Sequence, residues 1–171
     1  MNEEKQKTCP CPELDLRKWE DSTISFQQKP FLSRTIPRFL WVPIGLREEI
    51  DALYAQAFSM RLKLSTPTML LEREGGAFRG QILLGVSEEG DFPGKVLLSG
   101  LYRTTVHLGS PLRLGSARRV FLSRIKRELG IVPTETFYWY VNCPECWQKT
   151  GGPATIVLAR IGAPTLESSS L

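Results

Sequence analysis

The chain has 171 residues, 42% hydrophobic and 23% charged, which suits one domain or two small fused repeats and excludes a largely disordered chain. Twenty-two basic against 18 acidic residues leave a net charge of +4 and a pI near 9.0, short of the balance of a dedicated nucleic-acid binder. No apolar run approaches the roughly 18–20 residues that span a bilayer, and the charged first seven residues do not open a signal peptide. The expected setting is therefore the cytoplasm, with neither membrane nor nucleic acid as a partner.

Residues 1–29 read as an extended N-terminal arm. Its Cys9-Pro10-Cys11-Pro12 segment cannot be helical, because proline fixes φ and removes a donor. The body, residues 30–161, reads twice in one order, over about 30–90 and 91–161. Arg34–Ile44 is a strand candidate, its Pro37 and Pro43 pointing to an edge or a bulge. Residues 47–60 carry Ile50, Leu53, Tyr54, Ala57 and Phe58 on one helical stripe. Two short strands follow, Thr68–Arg73 and Gln81–Ser87, joined by a turn through Gly75, Gly76 and Gly80.

The second pass opens with a long strand, Lys95–His107, in which Gly100 marks a bulge or bend. A helix is expected over 116–129, with Ser116 as N-cap, Gly130 just past its end, and Phe121, Leu122, Ile125 and Leu129 as its stripe. Strands Thr136–Asn142 and Thr155–Ile161 complete the unit, and residues 162–171 form a polar, disordered tail. The two helices begin about 69 positions apart, the spacing of a repeat. The fold class is thus α+β, a duplicated βαββ unit with an extended N-terminal arm. Its helices lie on one side and its sheet is left partly open on the other. One unit has too few layers to bury its sheet face, so the strands preceding each helix are where the halves should meet.

Four cysteines stand in two tight pairs, Cys9/Cys11 and Cys143/Cys146. A Cys-x-x-Cys turn offers two thiolates to a tetrahedral zinc, and Cys-x-Cys on an extended segment offers two on one face. Cys9, Cys11, Cys143 and Cys146 are therefore candidate ligands of a structural zinc that pins the arm to the loop after the aromatic strand. Thiol redox chemistry and four unliganded thiols remain the alternatives.

Along Phe137–Tyr140 the faces alternate, Phe137 and Trp139 on one and Tyr138 and Tyr140 on the other. With Trp41 and Tyr102 on the strands that open each half, they suit an apolar pocket with hydroxyl tips. Candidate ligand-binding residues are Trp41, Tyr102, His107, Tyr138, Trp139 and Tyr140. Ordinary core packing is the competing account for each of them. His107, the single histidine, and Tyr138 are the candidate catalytic groups, although no Asp or nucleophile partners His107 in sequence. Glu72 and Glu74 lie on or just after the equivalent strand of the first half. The arginines and lysine between Arg113 and Arg127 spread around their helix as a solvated face does.

The doubled βαββ pattern, together with Val106-His107-Leu108-Gly109-Ser110-Pro111 before the second helix, resembles the GyrI-like superfamily of effector-binding domains over roughly residues 30–161. The Cys/Pro arm, Trp19 and the aromatic strand running into Cys143-Pro144-Glu145-Cys146 resemble a bacterial group of small GyrI-like proteins labelled "hydrolase". The resemblance implies a small-molecule pocket at the junction of the halves, for flat aromatic, hydrophobic or cationic compounds. It also implies, as an alternative, hydrolysis of reactive electrophiles. Relatives often place a Glu in a Glu-x-Tyr-x-Pro strand; here the matching stretch Tyr138–Asn142 puts Tyr138 at the acidic position. One of Glu72 or Glu74 would then supply a displaced carboxylate.

Overall fold

The computed structural model describes residues 11–40, 42–73, 75–143, 146–147 and 151–163. Seven strands and two helices form it: β1 (Thr23–Phe39), β2 (Val42–Pro43), α1 (Leu46–Ser59), β3 (Leu70–Arg73), β4 (Arg79–Gly85), β5 (Lys95–Leu108), α2 (Leu114–Leu129), β6 (Thr136–Tyr140) and β7 (Ala154–Gly162). This is an α+β architecture of two βαββ units, with β2 as a short hairpin on the end of β1.

Every pairing is antiparallel, and the order β1-β4-β3-β6-β7-β5 closes on itself because β1 also pairs with β5. The halves therefore meet twice. One seam lies between the opening strands, with Phe31 opposite Val96; the other lies between β3 and β6, with Leu71 opposite Trp139. This corrects the partly open sheet expected from sequence. Closure leaves no long edge for β1 or β5 to expose, and full closure removes a sheet's edge liability.

Strand β1 begins at Thr23, well before Arg34. Its first part hides in sequence because Gln27 and Gln28 interrupt the apolar alternation. The structure places a register irregularity there, between Phe26 and Lys29, opposite Gly100 and Leu98. The Gln28 backbone N–H donates to Ser99 Oγ at 2.9 Å in place of a ladder partner.

Closure divides the core into three. Inside the barrel lie Phe31, Leu83, Tyr102, Phe137, Trp139 and Leu158, among others, all fully buried. On the outer surface α1 buries Leu53 and Ala57 against Leu32, Ile36, Ile82 and Leu84. Likewise α2 buries Phe121 and Ile125 against Val157 and Ala159. The helical stripes hold in their centres and fail at their ends, since Phe58 and Leu129 face solvent. The second helix also starts earlier than expected. Ser110 caps a short 3-10 turn, Pro111–Arg113, by accepting from Leu112 N, and α2 continues from it at Leu114, so Ser116 is not its N-cap. Gly130 does end the helix, at φ +68°, where a Cβ would be strained. Among the described residues, no helix is long and apolar enough to cross a membrane.

Candidate functional site

Strand alternation sends the two faces of β6 to different places. Phe137 and Trp139 point into the barrel, whereas Tyr138 and Tyr140 stand half-buried on its outer surface. Tyr138 packs with the α2 cluster. Glu72 pairs with Tyr138 in register and shares that outer face, on the seam where the two halves join.

Glu72 is the polar centre of this seam. Arg38 Nη2 donates to its Oε1 and the Tyr140 hydroxyl donates to its Oε2. Both ion-pair side chains are 4% exposed. A buried charge persists only when paired, so Arg38 is what permits a carboxylate here. Gly80 in turn makes room for Arg38: a Cβ at that position would lie 2.9 Å from Arg38 Cζ. Gly80 thus belongs to strand β4 and to this packing, rather than to the expected turn. Burial, reinforced by the adjacent Glu72 carboxylate, pushes the Tyr140 phenol far above its usual range. Tyr140 is consequently a fixed O–H donor, unsuited to act as a phenolate nucleophile.

The other expected site residues disperse. Tyr102 and Trp139 are fully buried inside the barrel. His107, near the end of β5, lines a separate cleft of about 410 Å³ with Thr105, Arg113, Phe121 and Arg124. Its Nε2 lies 3.1 Å from the Ser110 carbonyl oxygen, which can only accept, so that nitrogen carries the proton. Trp41, Glu74 and Cys9 lie outside the described residues. Arg38 and Gly80 went unrecognised in sequence, because a buried arginine and its carboxylate 34 positions away leave no local signal.

A second constellation sits beyond the end of β6. The Sγ atoms of Cys11, Cys143 and Cys146 all lie within 4.8 Å of one another. Tetrahedral thiolates at about 2.3 Å from a metal stand roughly 3.8 Å apart, so these three could hold a metal ion with little movement. The Cys143 amide donates to Cys11 Sγ at 3.1 Å, which suits a sulfur carrying negative charge. Asn142 braces the loop by donating to Gly152 O at 2.8 Å and accepting from Ala154 N at 2.9 Å.

The arm that brings Cys11 to this cluster also closes the barrel. Leu14, Leu16 and Trp19 pack against the interior core, and Trp19 meets Trp139 edge to face at 4.9 Å. Thr104 Oγ1, fully buried, donates to Trp19 O at 2.7 Å. Arg124 of α2 reaches Asp21 at 2.6 Å.

Comparison with known proteins places this architecture. A family model described as "Bacterial hydrolase" matches residues 1–161. No curated protein matches the chain. Among solved structures, the EcmrR C-terminal domain superposes with a TM-score of 0.63 at 13% identity, over 83% of this chain and 96% of that one. The duplicated, closed βαββ arrangement is therefore a GyrI-like effector-binding fold.

Proposed function

We propose, for a chain that belongs to the family described as "Bacterial hydrolase" and carries a GyrI-like effector-binding fold, that it binds a flat aromatic or hydrophobic small molecule on the seam between its halves. The observation that carries this reading is the Arg38–Glu72–Tyr140 constellation beside Tyr138, at the junction of β3 and β6. Tyrosine faces supply the apolar contact, and Glu72 supplies the one polar anchor. The formal charges of Arg38 and Glu72 cancel, so a cationic ligand must share the carboxylate with Arg38, and its advantage over a neutral one is small. Cation–π contact with the tyrosines adds roughly 0.5–2 kcal/mol.

Thermal-shift titration with N-methylquinolinium and its neutral isostere 1-methylnaphthalene tests the reading. A saturable rise in melting temperature with at least one of them, lost in Tyr138→Ala, is expected. No rise with either, or a rise that survives Tyr138→Ala unchanged, contradicts it.

A second reading, hydrolysis of a strained electrophile, is favoured by the Glu72–Tyr140 pair and by the family's description. Glu72 would take a proton from water as the water oxygen bonds to the electrophilic carbon. The opened bond's electron pair would go to the leaving atom, which would take the proton back from Glu72. Mass spectrometry of an aziridine or epoxide probe should then show one water added, and Glu72→Gln should abolish the addition. Equal hydration with and without protein rules the reading out.

We further propose that Cys11, Cys143 and Cys146, with Cys9 as the fourth ligand, hold a structural zinc that clasps the arm over the barrel. Four protein thiolates would leave no open position for catalysis, and reduced thiols suit a cytoplasmic setting. Metal analysis of the purified protein should find one zinc per chain, and Cys143→Ser should lose it. A metal-free protein whose cysteines alkylate differently when oxidised would favour thiol redox chemistry instead.

A further inference from the structure

Strand β1 outruns the barrel. Its register with β4 ends where Pro37 faces Arg79, followed by a hydrogen bond from Arg38 N to Phe78 O at 3.0 Å. Beyond that point its ladder partner among the described residues is β2, with Arg38 opposite Pro43 and Phe39 opposite Val42. The result is a two-stranded ribbon that projects from the closed sheet. The register from Phe31 to Pro37 is unbroken, so the face that points into the barrel at Phe31 continues onto the ribbon through Pro37 and Phe39. Val42 shares that face as the partner of Phe39. Ile44 follows two residues on, its amide donating to Pro37 O at 3.0 Å.

The two faces of this ribbon have opposite surroundings. On one, Arg38 is buried against Glu72, with Pro43 half-buried across from it. On the other, Phe39 is 62% exposed, Val42 65% and Ile44 52%. The tip is apolar as well: Leu40 is exposed although it takes φ +48°, where glycine or asparagine is the comfortable residue. No charged residue falls between Phe39 and Gly45 in a chain that carries +4 overall, so two copies can meet here without like charges in contact. Phe39, Leu40, Val42 and Ile44 together expose on the order of 400 Å² of apolar surface, taking about 200 Å² for a whole aromatic side chain and proportionately less for the others. A standard interface buries about 800 Å² on each partner, a little over half of it apolar. The ribbon alone therefore supplies nearly all the apolar area that one side of a stable dimer needs.

We propose that a second copy of this chain covers this face. Two ribbons pack apolar side to apolar side about a two-fold axis, Phe39, Val42 and Ile44 of one protomer against the same ribbon face of its partner. An isologous contact of this kind closes on itself, so assembly stops at the dimer. Because Arg38 projects from the opposite face of the same ribbon, the contact also stiffens the strand that holds Glu72 in place. It needs no ligand at the seam and stands or falls apart from one.

Sedimentation equilibrium of the full chain from about 1 to 100 μM tests the proposal. The weight-average mass is expected to reach twice the 19.3 kDa of one chain and no more. Phe39→Ser combined with Val42→Ser should hold the chain at the monomer mass over the same range, with an unchanged circular-dichroism spectrum because both side chains are exposed. If that variant fails to fold, Val42→Lys decides. It sets like charges against each other across the two-fold axis and should raise the dissociation constant about tenfold or more. Phe58→Ser, at an exposed position on the far end of α1 from the ribbon, should dimerise as the parent does. A parent that stays monomeric throughout, a mass that climbs past two chains, or a dimer that survives the ribbon substitutions overturns the proposal.

Discussion

The two mouths of the barrel are closed by opposite physics. At the end where β6 finishes, Leu14, Leu16 and Trp19 lie on the interior core, and three cysteines gather just outside. At the end where β6 begins, Arg73 and Arg160 close over Glu135 and leave a cleft. An apolar plug excludes water and ligand alike, because its stability comes from area removed from solvent. A charged lid stays hydrated and exchangeable, because partly exposed ion pairs contribute little and trade partners easily. The difference teaches that one end of the barrel is closed by buried apolar area and the other by partly exposed ion pairs.

The largest effect should come from removing the plug. Trp19→Ala opens space against Trp139, and urea denaturation should show a loss of about 3 kcal/mol, toward the low end for a large aromatic because Trp19 is only partly buried. A loss below 0.5 kcal/mol would mean that the arm rests on the barrel without closing it. Next comes the clasp. If the cysteines hold zinc, chelation should lower stability by roughly 2–3 kcal/mol through linkage. It should also speed tryptic cleavage after Arg17 and Lys18.

Alkaline pH tests the seam and the barrel interior together. The folded Tyr140 pKa lies above that of the unfolded chain, so below about pH 10 both states keep the proton and stability is unaffected. Above that value the unfolded chain sheds its proton first, and stability should fall by about 1.4 kcal/mol per pH unit for this group. Tyr140→Phe should remove that part of the slope in pH-dependent melts. Tyr102, shifted in the same direction beneath the polar mouth, should account for a further part.

The smallest effect is also the most discriminating. Tyr102→Phe deletes a hydroxyl that has no hydrogen-bond partner among the described residues, and should leave stability unchanged or raise it by up to about 1 kcal/mol. A loss of 2 kcal/mol would show that the hydroxyl is already satisfied, and would remove the asymmetry between the mouths.

Much of this was legible in sequence because it is local. Leu53 and Ala57, or Phe121 and Ile125, announce a buried helix face by spacing alone. Period-two alternation correctly separated Phe137 and Trp139 from Tyr138 and Tyr140. The carboxylate of Glu72 could be anticipated from its place on the strand equivalent to β6. What stayed hidden is nonlocal. Closure depends on β1 meeting β5 63 to 80 positions away, and Arg38 finds Glu72 only once β1, β4 and β3 lie side by side. The polar mouth is assembled from β3, the start of β6, β7 and α2, so Arg73, Glu135, Arg160 and Arg118 carry no shared motif. Phe58 was misplaced because it stands about 100° round the helix from the buried Ala57, at the rim of the apolar stripe, and faces solvent.

The central claim, that the seam between the halves is the ligand site, is tested most directly by chemical-shift mapping. Isotope-labelled protein would be titrated with the aromatic compound that gives the larger thermal shift. Resonances of Glu72, Tyr138 and Tyr140 are expected to move together and saturate, while those of Tyr102 and Trp139 stay fixed. Shifts confined to the barrel interior or to the His107 cleft, with the seam unmoved, would contradict the account.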